Sequence, residues 1–372
     1  MNVLYVDHAT ALGGAEHSLL ALLRTLDRAQ VAPTLACPPG RLADRAREAD
    51  IPVVDLKLER VRDRNPLRSL WRLRRGCGRL RSLLADGGFE VVHANTLRAT
   101  AYASKVARRA GVGLVWHVRD YDIPAVVRAA LLRSCDLAVA PSRFIAQSLG
   151  GGSKVRLVPN GIDPTTVPGE EAAEAFRADL GIAADAVVVG CLGRIRPWKG
   201  QHYFIEVAAR LAERLPAARF VVVGDTLFPD PGRDYRGELE AEAMRLGLSD
   251  RVVFAGHRED PLAALLAMDV VANCSENEPF GRVLIEAMAC RRPVVAFRSG
   301  AVPEIVVDGS TGLLVPPGDS AGMAEGIAAL VHNGTLAESF GEAGRARVAA
   351  RFTLAASTAG MEAVYREFQE RS

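Results

Sequence analysis

Apolar residues in this chain come in short, β-branched runs, each followed by a longer stretch in which apolar and polar positions alternate at helical spacing. In the first half the runs are NVLYVD, PTLAC, PVVDL, EVVHA, GLVWHV and DLAVA, and VRLVPNGID closes the series. The stretch after it, TTVPGEEAAE (165–174), with Pro164 just before it and Pro168 and Gly169 inside, reads as a linker. The pattern then restarts with AVVVGCLGRI, ARFVVVGD, RVVFAG, DVVANC, RPVVAF and GLLVP. Near-continuous apolar strands alternating with helices predict parallel sheets covered on both faces. Two such series predict two doubly wound, Rossmann-like α/β domains over 1–165 and 166–353, with a cleft between them. The last stretch, TLAASTAGMEAVYREFQERS, is helical, and a terminal helix over 354–372 can pack back on the first domain.

Composition narrows the class. A chain of 372 residues, 49% hydrophobic and 24% charged, suits a soluble protein with two cores. No apolar run approaches the roughly 18 residues of a membrane span. The N-terminal MNVLYVDHATALGG has no basic leader and reads as a first strand, so a cytoplasmic location is expected. The six cysteines are scattered, without a CxxC pair or a histidine cluster, and are expected to be reduced and buried. No structural metal and no bound cofactor are expected.

Charge is distributed unevenly. Residues 1–167 hold 25 Lys+Arg against 15 Asp+Glu, a net of +10, and the remainder holds 21 against 29, a net of −8. Opposite charge on the two halves suits two domains with different ligands. Only four of the 46 basic residues are lysines, so a lysine in a loop marks a place where a compact point charge is wanted.

Candidate chemistry collects where strands run into helices. Gly13 and Gly14 lie at the first strand-to-helix turn, where backbone N–H groups can approach an anion. A tight turn without a ligand explains the same pair. The motif is not GxGxxG and no strand-end acid follows at dinucleotide spacing, which counts against a dehydrogenase. In the second half Arg194 and Lys199 stand five apart on a strand-end loop without an acid of its own, a placement that suits a diphosphate. His117 ends a first-half strand, and Asp120-Tyr121-Asp122 after it resembles a metal-binding DxD, a weak signal. ENEPFGRVLIEA (276–287) places Glu278 and Glu286 on either side of a helix start. There the N–H groups of Phe280, Gly281 and Arg282 predict an anion seat. Glu278 would oppose a bound diphosphate unless it addressed sugar hydroxyls, while Glu286 can accept from a second set of hydroxyls.

With these motifs in order, the chain resembles the retaining glycosyltransferases of family 4, which have the GT-B fold. The resemblance covers nearly the whole sequence and rests on LGGAEHSL, the WH at 116–117, PSRF, VPNGID, GRIRPWKG, VVVGD, VVFAGH and ENEPFGRVLIEAMACRRPVVAFRSGAVPEIVVDGSTGLLVPPGD, in that order. It implies that the C-terminal domain binds a nucleotide-sugar donor and the N-terminal domain the acceptor, a sugar, glycolipid or small molecule. It further implies that Arg194 and Lys199 neutralise the leaving diphosphate without a metal. Glu278 and the Phe280–Gly281 backbone would hold the donor sugar and Glu286 the ribose, with His117 near the transferred sugar and Gly13–Gly14 along the diphosphate. Arg291 stands where the family has a glycine, and Gly300-Ala301 where it has paired glycines. A sugar-nucleotide epimerase of the same fold, or a silent binding protein, are the alternatives.

Residues 57–81 hold ten basic residues against two acids, with Leu67, Leu70, Trp71, Leu73 and Leu80 interleaved at helical spacing from Pro66 onward. An Arg-rich helix with a solvated face accounts for this. So does a basic amphipathic helix making peripheral contact with an anionic membrane on its inner face. No nucleic-acid partner is expected.

Overall fold

The computed structural model describes residues 1–59, 66–226 and 232–370. They form two compact units, Met1–Gly161 together with Leu354–Ser372, and Ile162–Thr353. The N-terminal unit carries β1 (Asn2–Val6), β2 (Ala32–Cys37), β3 (Val53–Asp55), β4 (Val91–Ala94), β5 (Gly113–His117), β6 (Leu137–Ala140) and β7 (Val155–Leu157). These strands pair in parallel in the order β3-β2-β1-β4-β5-β6-β7. The C-terminal unit carries β8 (Val188–Leu192), β9 (Arg219–Val223), β10 (Val252–Gly256), β11 (Val270–Asn273), β12 (Val294–Phe297) and β13 (Leu313–Val315). Their order is β10-β9-β8-β11-β12-β13, again all parallel.

The near-continuous apolar runs are explained by burial on both faces. In β1, Leu4 and Val6 join one core with Tyr102 and Trp116. Val3 and Tyr5 join the opposite core with Leu19, Leu23 and Val364. The second sheet is sandwiched in the same way, with Val188 and Met288 on one side and Val189 and Phe204 on the other. In each sheet the order reverses once, between β1 and β4 and between β8 and β11. Helices on opposite faces diverge there, opening a crevice beyond the carboxyl ends of the two central strands.

The helix Leu354–Gln369 belongs to the N-terminal unit, where Met361, Val364 and Tyr365 enter the core beneath the helix Gly14–Thr25. Arg156 clamps its far end, donating to both carboxylate oxygens of Glu367 at 2.6 and 2.7 Å. The stretch read as a linker is shorter than expected, because Glu170–Asp179 is already a helix of the C-terminal unit, started at Gly169 and sealed by Phe176. The Arg-rich segment falls partly outside the described residues, at 60–65. From Pro66 to Asp86 it is helical, with Cys77, Leu80 and Leu84 in the core. Among the described residues no helix is long and apolar enough to cross a membrane.

Candidate functional site

The crevice between β8 and β11 brings two strand-exit loops together. Gly200 sits at φ 71°, and a Cβ there would lie 2.1 Å from the carbonyl oxygen of Cys274, at the end of β11. Only glycine allows the β8 exit loop to press so closely on its neighbour. Two hydrogen bonds then hold the loops: Glu276 N–H donates to the Trp198 carbonyl at 2.7 Å, and the Gln201 amide to the Arg194 carbonyl at 2.9 Å. The result places the Lys199 ammonium 2.6 Å from Glu278 Oε2, with the Trp198 ring 4.5 Å beneath it. The β8 loop has no acid of its own, as the sequence indicated, but Lys199 does have an acidic partner, supplied from the neighbouring strand.

Glu278 is buried, and burial alone would raise its pKa. The Lys199 charge and hydrogen bonds from Lys199, Ser275 and the Phe280 N–H outweigh the burial, so its carboxyl is held below the usual range. It is a carboxylate at neutral pH. One expected feature changes as a result. The Phe280 N–H, assigned to an anion seat, also faces the Glu278 carboxylate and helps to lower its pKa. Gly300, at φ 58°, fixes that loop, since a Cβ there would stand 2.4 Å from the Glu278 carbonyl oxygen. Gly281, at φ 95°, precedes the helix Arg282–Ala289. Within that helix Arg282 Nε donates to the buried Glu286 at 2.6 Å, one turn on. Arg194 is half-buried, and its guanidinium has no hydrogen-bond or ion-pair partner among the described residues.

His117, Gly13 and Gly14 belong to the other unit. Gly13 precedes the helix Gly14–Thr25 in extended conformation, and its N–H donates to Glu16 at 2.9 Å, so this donor is not open to an anion. A Cβ on Gly14 would meet nothing within 4 Å, so the chain's own packing does not demand glycine there. His117 is 3% exposed. Its Nδ1 lies 3.2 Å from His93 Nε2, and His93 Nδ1 lies 2.7 Å from the Tyr365 hydroxyl. Burial, reinforced by the Arg119 charge, lowers the pKa of His93 to about 3 and that of His117 well below its ordinary value. Both rings are neutral.

The crevice between β1 and β4 holds a second network that sequence reasoning missed. Asp7, fully buried, accepts from Asn95 Nδ2 at 2.7 Å and from the Ala9 N–H at 2.9 Å. Arg119 spans Asn95 at 2.9 Å and Asn160 at 2.7 Å. Burial pushes the Asp7 carboxyl up, against these hydrogen bonds and the Arg119 charge. The available signal was polar residues in or just beyond apolar strands, His93 and Asn95 in VVHAN and Arg119 in WHVRD. Among the described residues no group of three or more His, Cys, Asp or Glu could hold a metal ion, the Asp120–Asp122 loop included. The six cysteines are buried and free.

Two family models cover most of the chain: glycosyltransferase family 4 over residues 12–166 and glycosyl transferases group 1 over residues 172–347. The GDP-mannose-dependent alpha-(1-6)-phosphatidylinositol monomannoside mannosyltransferase of Mycolicibacterium smegmatis is 32% identical over 289 residues, 72% of this chain and 74% of that protein. The chain belongs to the family 4, group 1 glycosyltransferases. Within this family, the D-inositol 3-phosphate glycosyltransferase of Mycobacteroides abscessus is 39% identical over 182 residues, 48% of this chain. That match spans 39% of the relative's length, and the match to the Corynebacterium jeikeium enzyme of the same name spans 52%. Among solved structures, Anabaena HepE in complex with UDP-glucose aligns over 99% of this chain and 100% of its own, with 26% identity and a TM-score of 0.86. Both parallel-sheet, Rossmann-like units and the GT-B architecture accord with that match.

The two departures from the glycosyltransferase pattern differ in kind. Ala301 has φ −84°, where any residue is at ease. Arg291 is held at φ 55° just past the helix Arg282–Ala289. Its N–H donates to Met288 at 3.0 Å and the Arg292 N–H to Ala287 at 2.9 Å, closing the helix in the left-handed turn that normally takes glycine.

Proposed function

We propose that this chain is a retaining glycosyltransferase that moves a hexose-type sugar from a nucleotide diphosphate sugar to an acceptor hydroxyl, in polysaccharide, glycolipid or other glycoconjugate synthesis. The Lys199–Glu278 contact carries the reading, because it puts a cation and a buried carboxylate side by side at a crevice where α/β sheets take ligands, with Arg194, unpartnered among the described residues, on the same loop.

In this reading the donor belongs to the C-terminal unit. Arg194 and Lys199 offset the charge that builds on the departing diphosphate, and such fixed electrostatic stabilisation is usually what accelerates a reaction most. Glu278, kept ionised, accepts from sugar hydroxyls, and Glu286 accepts from the ribose. The acceptor oxygen bonds to the anomeric carbon on the leaving-group face as the bond to phosphate breaks, and the phosphate takes the acceptor's proton. No separate base or metal is needed. The N-terminal unit serves the acceptor, and His117 serves the transferred sugar. The open space at Gly14, where a Cβ would meet nothing within 4 Å, supports the assignment of that turn, although the Gly13 N–H is held by Glu16. Leu67, Leu70 and Trp71, exposed among arginines, support peripheral contact with an anionic membrane.

The test begins with calorimetric titration of UDP-, GDP-, ADP- and dTDP-sugars. The donor that binds is then incubated with inositol phosphate, phosphatidylinositol mannoside and lipopolysaccharide-core acceptors, with and without EDTA. Expected is sugar on an acceptor with its anomeric configuration kept, at a rate EDTA does not change. Isomerised donor without transfer would make the chain an epimerase, and binding without turnover would make it a silent binding protein. Loss in EDTA, restored by magnesium or manganese, would bring in Asp120 and Asp122 as ligands.

A further inference from the structure

Tyr365 reaches a strand-end histidine from the far end of the sequence. The helix Leu354–Gln369 carries its hydroxyl to within 2.7 Å of His93 Nδ1, and His93 Nε2 faces His117 Nδ1 at 3.2 Å. All three side chains are buried in the N-terminal unit, with His93 completely enclosed. The ring planes are inclined, 62° between His93 and Tyr365 and 55° between the two histidines, so these are edge contacts through nitrogen and oxygen and not stacking. Beyond the chain, His117 Nε2 is buried with no hydrogen-bond partner among the described residues.

We propose that Tyr365 is a positioning residue that fixes His117 in the tautomer protonated on Nε2, acting through His93. A count of hydrogens leads there. Each neutral imidazole has one N–H, so the two hydrogen bonds of the chain must run in the same direction. In one arrangement the tyrosine O–H donates to His93 Nδ1, His93 Nε2–H donates to His117 Nδ1, and the remaining hydrogen sits on His117 Nε2. In the other, His117 Nδ1–H donates to His93, His93 Nδ1–H donates to the tyrosine oxygen, and His117 Nε2 is bare. A phenol is a better donor than an imidazole N–H, and an imine nitrogen a better acceptor than a phenol oxygen. The first arrangement therefore prevails. It leaves His117 Nε2–H as an enclosed donor without a partner, which a ligand oxygen would satisfy.

Tyr365→Phe removes the bias. Without the hydroxyl, both arrangements strand one donor and one acceptor, so neither is preferred. His93→Gln offers a control, because a glutamine amide can either donate to or accept from His117 Nδ1, so in that background a hydroxyl standing behind it no longer sets the tautomer.

Long-range proton–nitrogen spectra of histidine-labelled protein read the tautomer directly, with His93 and His117 assigned from their own variants. Expected in the unmodified protein is a protonated-type Nε2 and an imine-type Nδ1 on His117. Tyr365→Phe should convert this to a mixed pattern, whereas Tyr365→Phe added to His93→Gln should leave the His117 pattern of His93→Gln unchanged. An unaltered His117 pattern in Tyr365→Phe overturns the proposal, and so does a change in the His117 pattern when Tyr365→Phe is added to His93→Gln. An imine-type Nε2 on His117 in the unmodified protein overturns it too, so the test stands even if Tyr365→Phe folds poorly. The consequence for catalysis rests on the role of His117 proposed above: kcat of nucleotide-sugar turnover should fall severalfold in Tyr365→Phe with the KM for donor held. A changed tautomer with an unchanged kcat supports the relay and removes His117 from the reaction.

Discussion

Lys199 and Glu278 are 79 positions apart in the chain and 2.6 Å apart in space. Glu278 is almost wholly enclosed, so each charge depends on the other. Removing one partner of such a pair typically costs about 3–5 kcal/mol, because a buried charge is left alone. Lys199→Ala should therefore lower stability by several kcal/mol as well as turnover, and Glu278→Gln added to it should recover much of the stability. Arg194→Ala, which breaks no ion pair, should leave the unfolding midpoint within about 0.5 kcal/mol of the parent. It should still lower turnover by on the order of 10²–10³. Denaturant unfolding beside turnover measurements checks both. Equal stability of the two single variants would mean that the pair does not persist in solution.

Glu278 and Glu286 should not be interchangeable. Glu278→Gln is expected to lower transfer while leaving binding of the nucleoside diphosphate nearly intact, since it addresses the sugar. Glu286→Gln should weaken nucleoside diphosphate binding by about tenfold, the worth of one hydrogen bond to a charged group, since it addresses the ribose. Calorimetry with the diphosphate alone decides the matter, and equal losses would show the division to be wrong.

Stability should fall in acid through His93. Its pKa is lowered from the ordinary 6.5 to about 3, first by burial and then by the Arg119 charge. Between those values the unfolded chain binds a proton that the folded chain refuses. The contribution is therefore whole above about pH 6.5 and is lost as pH falls toward 3, at about 1.4 kcal/mol per pH unit for one group. His117 acts in the same direction. Urea midpoints at pH 7, 6 and 5 should decline less steeply in His93→Gln, by about one proton, and parallel curves would mean that His93 titrates normally in the fold.

Arg291 offers a stability test away from the crevice. A left-handed residue with a Cβ costs about 1–2 kcal/mol, and the Arg291–Glu342 ion pair, exposed on both sides, returns little. Arg291→Gly should be more stable than Arg291→Ala by about 1 kcal/mol in thermal unfolding. Equal melting points would mean that this helix end does not keep its left-handed turn.

The helix Pro66–Asp86 should sediment with anionic but not neutral vesicles, and salt should weaken the binding. Arg74, Arg75 and Arg79 replaced together by Gln should reduce it. Arg72 is a poorer choice, since it pairs with Glu59 at 3.0 Å. No sedimentation at low salt would leave a solvated helix. Its core-facing residues Cys77, Leu80 and Leu84 account for only part of its apolar surface, and Leu67 and Trp71 remain exposed.

The two series of strands were legible in the sequence because burial on both faces leaves a local trace: runs such as NVLYV and RFVVV are apolar at nearly every position. Arg194, Lys199, Glu278 and His117 could be singled out because strand-end loops and helix starts also carry local signatures. Partnership is not local. That Lys199 meets Glu278 is decided by the close approach of Gly200 to Cys274, whereas the Gly13 and Phe280 N–H groups lie within three residues of the carboxylates beside them, Glu16 and Glu278. His93 looked like an ordinary strand residue in VVHAN until β4 set it beside β5 and the last helix set Tyr365 against it. Sequence by itself determined which segments become strands and helices and which ends can carry chemistry, since those follow from periodicity within a few residues. Only the tertiary structure decided which charges and protons face one another, because hydrogen bonds and ion pairs depend on distances that residues 79 or 272 positions apart acquire only when the sheets form.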